Sequence, residues 1–147
     1  LSLRFYRLHL KADDPIQLIS YLNSTIFWLI YETLGNKNLG QGVLDFFMAD
    51  FMKMEIPIVL DRSFKQHFSA LSRREVGVVF EECGLNPESD VPLSEQEPKP
   101  LPDRKELDDI IFDALDLTPD ERKEVYRGVC QLVWNRISKA KSVKKRK

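Results

Sequence analysis

Apolar residues between Ile16 and Leu34 recur three and four positions apart. Ile16, Ile19, Leu22, Ile26, Leu29 and Ile30 form the stripe, and Leu18, Phe27 and Leu34 widen it. That period predicts a single amphipathic helix of about 20 residues, roughly 30 Å long, with a face broad enough to pack under several elements. Asp14 is its candidate N-cap, with Pro15 at N1, Gln17 at N3 and Gly35 as its stop. The pattern on either side is different. Leu3 to Leu10 alternates and carries two aromatic residues, which argues a strand. Val43 to Met48 is predicted as a short strand, and Ala49 to Met54 as a single helical turn. Glu55 to Leu60 is predicted as another strand, which Pro57 confines to an edge or an entry position. Phe64, Phe68 and Leu71 mark a helix. Ser72-Arg73-Arg74-Glu75 has the form of a capping box, predicting a break at Ser72 and a further helix to Cys83, ended by Gly84.

Residues 86–102 hold five of the eight prolines, so no regular element fits there and an extended, partly mobile linker is expected. Helical spacing resumes with Leu107, Ile110, Ile111 and Leu115 after a second capping pattern, Asp103 and Glu106. A third, Thr118-Pro119-Asp120-Glu121, precedes Val125, Val129, Leu132, Val133 and Ile137. This helical hairpin has too narrow a stripe to fold alone and must dock. The expected architecture is α+β: a small mixed sheet packed with helices over residues 1–85, the linker over 86–102, and a helical hairpin with a basic tail over 103–147.

Charge changes this picture little in the first part and strongly in the last. Residues 1–85 carry 9 basic and 10 acidic side chains, residues 86–124 carry 5 and 13, and residues 125–147 carry 8 and none. Lys139 to Lys147 alone hold six basic groups. Such a tail is either a solvated helix end or an arm that contacts phosphate. Cys83 and Cys130 form no CxxC pair and are expected to be reduced core thiols of a cytoplasmic protein. The apolar run Thr25 to Tyr31 is far short of the roughly 20 residues a membrane span needs, so no membrane partner is expected. The chain opens at Leu1 without an initiator methionine, and a piece of a longer protein is expected.

Candidate chemistry concentrates in Gly35-Asn36-Lys37-Asn38-Leu39-Gly40-Gln41-Gly42. Glycines allow close backbone approach to a ligand. Asn and Gln can pair in bidentate fashion with adenine, and Lys suits phosphate or guanine. A helix C-cap running into a tight turn uses the same residues. Catalytic motifs are absent: there is no P-loop, no Rossmann fingerprint, no HExxH and no GxSxG. His9 and His67 are isolated. Glu97-Pro98-Lys99 superficially matches the E-x-K of metal-dependent nucleases but has no strand to hold it. Asp108, Asp109, Asp113 and Asp116 fit a solvated helix face better than a metal site.

In order and spacing, several segments resemble one family. They are Arg4-Phe5-Tyr6, the helix carrying Leu22-Asn23-Ser24-Thr25, the loop Gly35 to Gly42, Val43 to Phe47, and Asp50-Phe51-Met52-Lys53-Met54-Glu55-Ile56-Pro57. The chain resembles the C-terminal target-recognition region of adenine-N6 DNA methyltransferases of restriction–modification systems, the TaqI-like specificity domains among them. Glu106 to Leu115 and Thr118-Pro119-Asp120-Glu121-Arg122 resemble the helical tail of such proteins. The resemblance covers most of residues 4–60 and 103–140. It implies a module that reads duplex DNA, with Asn36, Lys37, Asn38 and Gln41 as the candidate contacts. The family's chemistry needs S-adenosylmethionine and an Asn/Asp-Pro-Pro-Tyr/Phe motif. Neither its cofactor motif nor its catalytic motif occurs here, and Asp13-Asp14-Pro15-Ile16 does not supply one. The resemblance therefore implies no catalytic residue or metal in this chain, with S-adenosylmethionine held by a methyltransferase domain upstream of Leu1. The alternative is a structural or protein–protein interaction module without DNA contact.

Overall fold

The computed structural model describes residues 15–36, 43–54, 56 and 63–144. Seven helices follow one another among them: α1 (Ile16–Leu22), α2 (Thr25–Leu34), α3 (Met48–Phe51), α4 (Phe64–Leu71), α5 (Val79–Cys83), α6 (Pro102–Ala114) and α7 (Pro119–Lys144). Among the described residues helix makes up 62% and strand 2%, with no sheet, which overturns the expected small mixed sheet and with it the α+β class. Where Val43 to Met48 is predicted as a strand, a single antiparallel bridge joins Asn36 to Asp45, and the backbone enters α3 at Met48. With no second strand beside it among the described residues, apolar content there has no ladder to extend. The strand predicted at Leu3 to Leu10 lies outside the described residues. So does the one at Glu55 to Leu60, apart from an exposed, non-helical Ile56.

The predicted long helix is two helices. Asn23 and Ser24 interrupt it: the Asn23 amide donates to the Ile19 carbonyl at 2.8 Å, and Ser24 turns extended at ψ 159°. The Ser24 hydroxyl donates to the Tyr21 carbonyl at 2.7 Å and accepts the Phe27 N–H at 3.2 Å, ending α1 and capping α2 with one side chain. The predicted stop at Gly84 is present: this residue takes φ 64°, and Leu85 N–H and Gly84 N–H return to the carbonyls of Phe80 and Glu81. A Cβ at Gly84 would lie 2.0 Å from the Lys99 carbonyl oxygen, so only glycine lets the two backbones pass. The helix it ends is shorter than predicted, because residues 72–78 are not helical.

Residues 86–101 contain no helix, yet they are tied down at both ends and in the middle. Lys99 and Leu101 donate to the carbonyls of Cys83 and Glu82, Gln96 bonds the backbone of Asn86 and Val91, and Leu93 is buried. Thr118 and Glu121 form the predicted capping box of α7. The pattern predicted at Asp103 and Glu106 does not form: α6 starts at Pro102, Asp103 bonds Arg74, and Glu106 meets His67 at 3.2 Å.

Two clusters make the core. Cys83, Leu85, Leu93, Phe112, Tyr126 and Val129 belong to one; Tyr21, Phe64, Leu71, Leu107 and Ile111 form the other. Helix α6 serves both, placing Leu107 and Ile111 in one and Phe112 in the other. Helix α7 packs mainly on α2 and α5, and α6 on α4 and α2, so the C-terminal helices dock on the first part of the chain. Among the described residues, no helix is long and apolar enough to cross a membrane. Cys83 and Cys130 are both free and buried.

Candidate functional site

Helix α2 ends at Leu34 and leads directly into Gly35 and Asn36, so what fixes α2 fixes the position of Asn36. At its start, Thr25 N–H donates to Asp108 Oδ1 at 2.8 Å and the Thr25 hydroxyl donates to Oδ2 at 2.6 Å. Arg104, one turn earlier on α6, donates to the Asn23 carbonyl and lays its guanidinium 4.1 Å from the centre of the Trp28 ring. The segment Leu22-Asn23-Ser24-Thr25 and the helix around Asp108 are therefore bonded to each other across more than 80 residues of chain.

Arg104 also donates to Glu82 Oε2 at 3.1 Å, and both side chains are fully buried. Arg74 completes the set, gripping Glu82 with one edge of its guanidinium and Asp103 with the other. Burial raises the Glu82 carboxyl, but bonds from Arg74, the Gly77 N–H and Arg104 more than offset this and hold it below the usual range. The bonds from Arg74 do the same for Asp103. Asp108 goes the other way. Its burial outweighs Arg104 and Thr25, and its carboxyl is pushed up to about 6.

The opposite signs give a test. A raised carboxyl is protonated more readily in the folded chain. Its stability contribution is complete below the ordinary value of 3.8 and is lost as pH rises through about 6. Glu82 and Asp103 contribute above their ordinary values and lose it as pH falls. Asp108→Asn keeps the shape and cannot ionise. The stability of wild type minus that of this variant, from denaturant melts, is expected to fall between pH 4 and 7. The fall is up to about 3 kcal/mol, at roughly 1.4 kcal/mol per pH unit. A pH-independent difference would show that Asp108 titrates as an exposed carboxylate does.

At the far end of α2, Tyr31 stacks on Phe46 with ring centres 4.8 Å apart, and Phe27 meets Phe46 edge-on. Asn36 and Asp45 exchange both backbone bonds, at 2.7 and 3.1 Å, closing the base of the loop. Gly35 is extended (φ −63°), so it serves through its size and not through a left-handed turn. A Cβ there would come within 2.6 Å of Leu44 and 2.7 Å of the Tyr31 carbonyl oxygen. Glu32, the last buried residue of α2, is paired with Arg136 of α7.

Of the four predicted contacts, Asn36 lies at this base with its residue exposed, while Lys37, Asn38 and Gln41 lie outside the described residues. The acidic run predicted as a solvated face divides. Asp109 and Asp113 pair with Arg122, and Asp109 also with Lys105, but Asp108 is fully buried. Glu97 is held by Lys123 and Arg127. The sequence reading missed Arg104 and Asp108 as organising residues. Their signal is positional: Arg104, Leu107, Asp108 and Ile111 follow the i, i+3, i+4, i+7 stripe, placing two charges where a helix buries its face. Among the described residues no three His, Cys, Asp or Glu side chains could hold a metal ion. The chain matches no family model, no curated protein and no solved structure.

Proposed function

We propose that this chain is the sequence-recognition module of an adenine-specific DNA methyltransferase of a restriction–modification system. It presents Asn36, Lys37, Asn38 and Gln41 to duplex DNA. It works with a catalytic domain that binds S-adenosylmethionine, whose motifs this sequence lacks. One observation carries the reading: Asn36, exposed, pairs its backbone with Asp45 across residues 37–44, at the end of a helix whose other end is locked to α6. A segment closed at its base can offer amide side chains to base edges without disturbing the core, and rigid support is what such contacts need. A protein-docking module draws instead on the exposed Val76 and Val78.

Residue-level binding separates the roles. Lys37→Ala is expected to weaken binding about equally on all duplexes and to flatten the salt dependence by roughly one unit of slope. Asn36→Ala, Asn38→Ala or Gln41→Ala is expected to reduce discrimination between matched and scrambled duplexes, by about 1–3 kcal/mol where the side chain makes a bidentate contact. Titrations at two salt concentrations, beside the thermal midpoint, read both effects. Wild-type discrimination in all four variants would refute the loop's role, and lowered midpoints with unchanged discrimination would mark the residues as turn formers.

A further inference from the structure

The helical period divides α4 into two faces. Phe64 and Leu71, seven residues apart, are buried with Tyr21 of α1 and with Leu107 and Ile111 of α6. His67 turns along one flank to Glu106 of α6. The side away from the core carries Lys65, Gln66, Ser69 and Ala70, and Arg73 continues it just past the helix end. These five residues together line one groove of about 630 Å³. Lys65, Gln66 and Arg73 are exposed there. The lining holds two cations, one amide and one hydroxyl, and no acidic side chain.

The charges in this groove are uncompensated. Among the described residues neither Lys65 nor Arg73 is in an ion pair, and the Gln66 amide has no partner within the chain. The basic groups beside them are occupied: His67 by Glu106, and Arg74 by Glu82 and Asp103. Eight residues separate Lys65 from Arg73, which spans about 12 Å at 1.5 Å per residue. The major groove of B-DNA is about 12 Å wide and admits one α-helix, whose ends then come near the phosphates that border the groove.

We infer that α4 enters the major groove of duplex DNA, with Lys65 and Arg73 on backbone phosphates and Gln66 facing a base edge between them. This rests on the recognition reading above and adds a second element to it. The two cations position the helix without reading sequence, and the amide between them reads it. Gln pairs in bidentate fashion with adenine, and Ala70, one turn further on, suits contact with a thymine methyl. The amide also selects the occupant. It offers a donor and an acceptor side by side, which an adenine edge matches and an ionised acidic side chain, an acceptor only, does not.

The test compares the full chain with Lys65→Ala/Arg73→Ala, with Gln66→Ala, and with a control, Lys105→Ala/Lys123→Ala. The control removes as much charge, from cations already paired with Asp109 and Glu97. Binding to a mixed-sequence 20-base-pair duplex is titrated over a range of salt. Lys65→Ala/Arg73→Ala is expected to lose about two units of slope of log K against log salt, with an unchanged thermal midpoint. The control should keep the wild-type slope. Gln66→Ala should keep it too, and should lose about 5- to 150-fold of the preference for the duplex that wild type selects from a randomised pool. An unchanged slope in Lys65→Ala/Arg73→Ala, an equal loss in the control, or full preference in Gln66→Ala would each overturn the proposal. Polyglutamate bound as tightly as the duplex, and with the same dependence on Lys65 and Arg73, would overturn it in favour of an acidic protein. Lost discrimination in the Asn36, Asn38 and Gln41 variants beside an unchanged slope here would remove α4 and leave the recognition reading standing. Wild type that binds no duplex would remove both.

Discussion

Arg104→Met is expected to cost about 3–5 kcal/mol of folding stability, the usual price of breaking a buried charge pair from one side. The methionine fills much of the volume but removes the donor to Glu82, which has no exposed surface, the donor to the Asn23 carbonyl, and the cation over Trp28. Glu82 keeps Arg74 and the Gly77 N–H, which sets an upper limit on the damage. At about 2–4 °C per kcal/mol for a chain of this size, the thermal midpoint should drop on the order of 10 °C. Adding Glu82→Met to Arg104→Met should recover part of the loss, because the stranded carboxylate goes with it. A loss under about 1 kcal/mol would mean that water reaches this network and that α2 is not anchored through it.

Ile111→Asp is expected to be at least as damaging, with a loss of about 4 kcal/mol or more. Ile111 has no exposed surface and packs with Leu107 of α6, Phe64 and Leu71 of α4 and Tyr21 of α1. A carboxylate there loses the apolar contacts and has no cation built to receive it. Ile111→Val, which removes one methylene, should cost only about 0.5–1.5 kcal/mol. Denaturant midpoints of the two variants measure the contrast. Equal midpoints would place Ile111 at the surface and the C-terminal helices off the core.

Local punctuation in the sequence was legible in part: Ser72 ends α4 but starts no helix, and Asp103 and Glu106 bond Arg74 and His67 and form no capping box. The Thr118–Glu121 box, the break at Ser72 and the left-handed stop at Gly84 all depend on bonds within a few residues, and all three are present. The spacing of Ile19, Leu22, Ile26 and Leu29 runs on through the break at Asn23 and Ser24, so it concealed two helices joined by a shared cap. The strand predicted at Val43 failed for a different reason. A strand needs a partner, and local composition cannot supply one; among the described residues the Asn36–Asp45 bridge is the one pairing that forms. Asp108, Asp109 and Asp113 look alike in sequence, and whether each meets solvent or Thr25 depends on a helix more than 80 residues away. Asn36 was legible as a loop residue. The support beneath it, from Thr25 and Arg104 at one end of α2 to Tyr31 and Phe46 at the other, was not.

The most direct measurement of the central claim is selection from a randomised pool of short duplexes by the full chain at moderate salt. The account predicts enrichment of one sequence family containing adenine, with the enrichment lost in a variant carrying Asn36→Ala, Asn38→Ala and Gln41→Ala together and having the wild-type thermal midpoint. A pool that remains random through successive rounds, although the chain is folded, would contradict sequence recognition by this module.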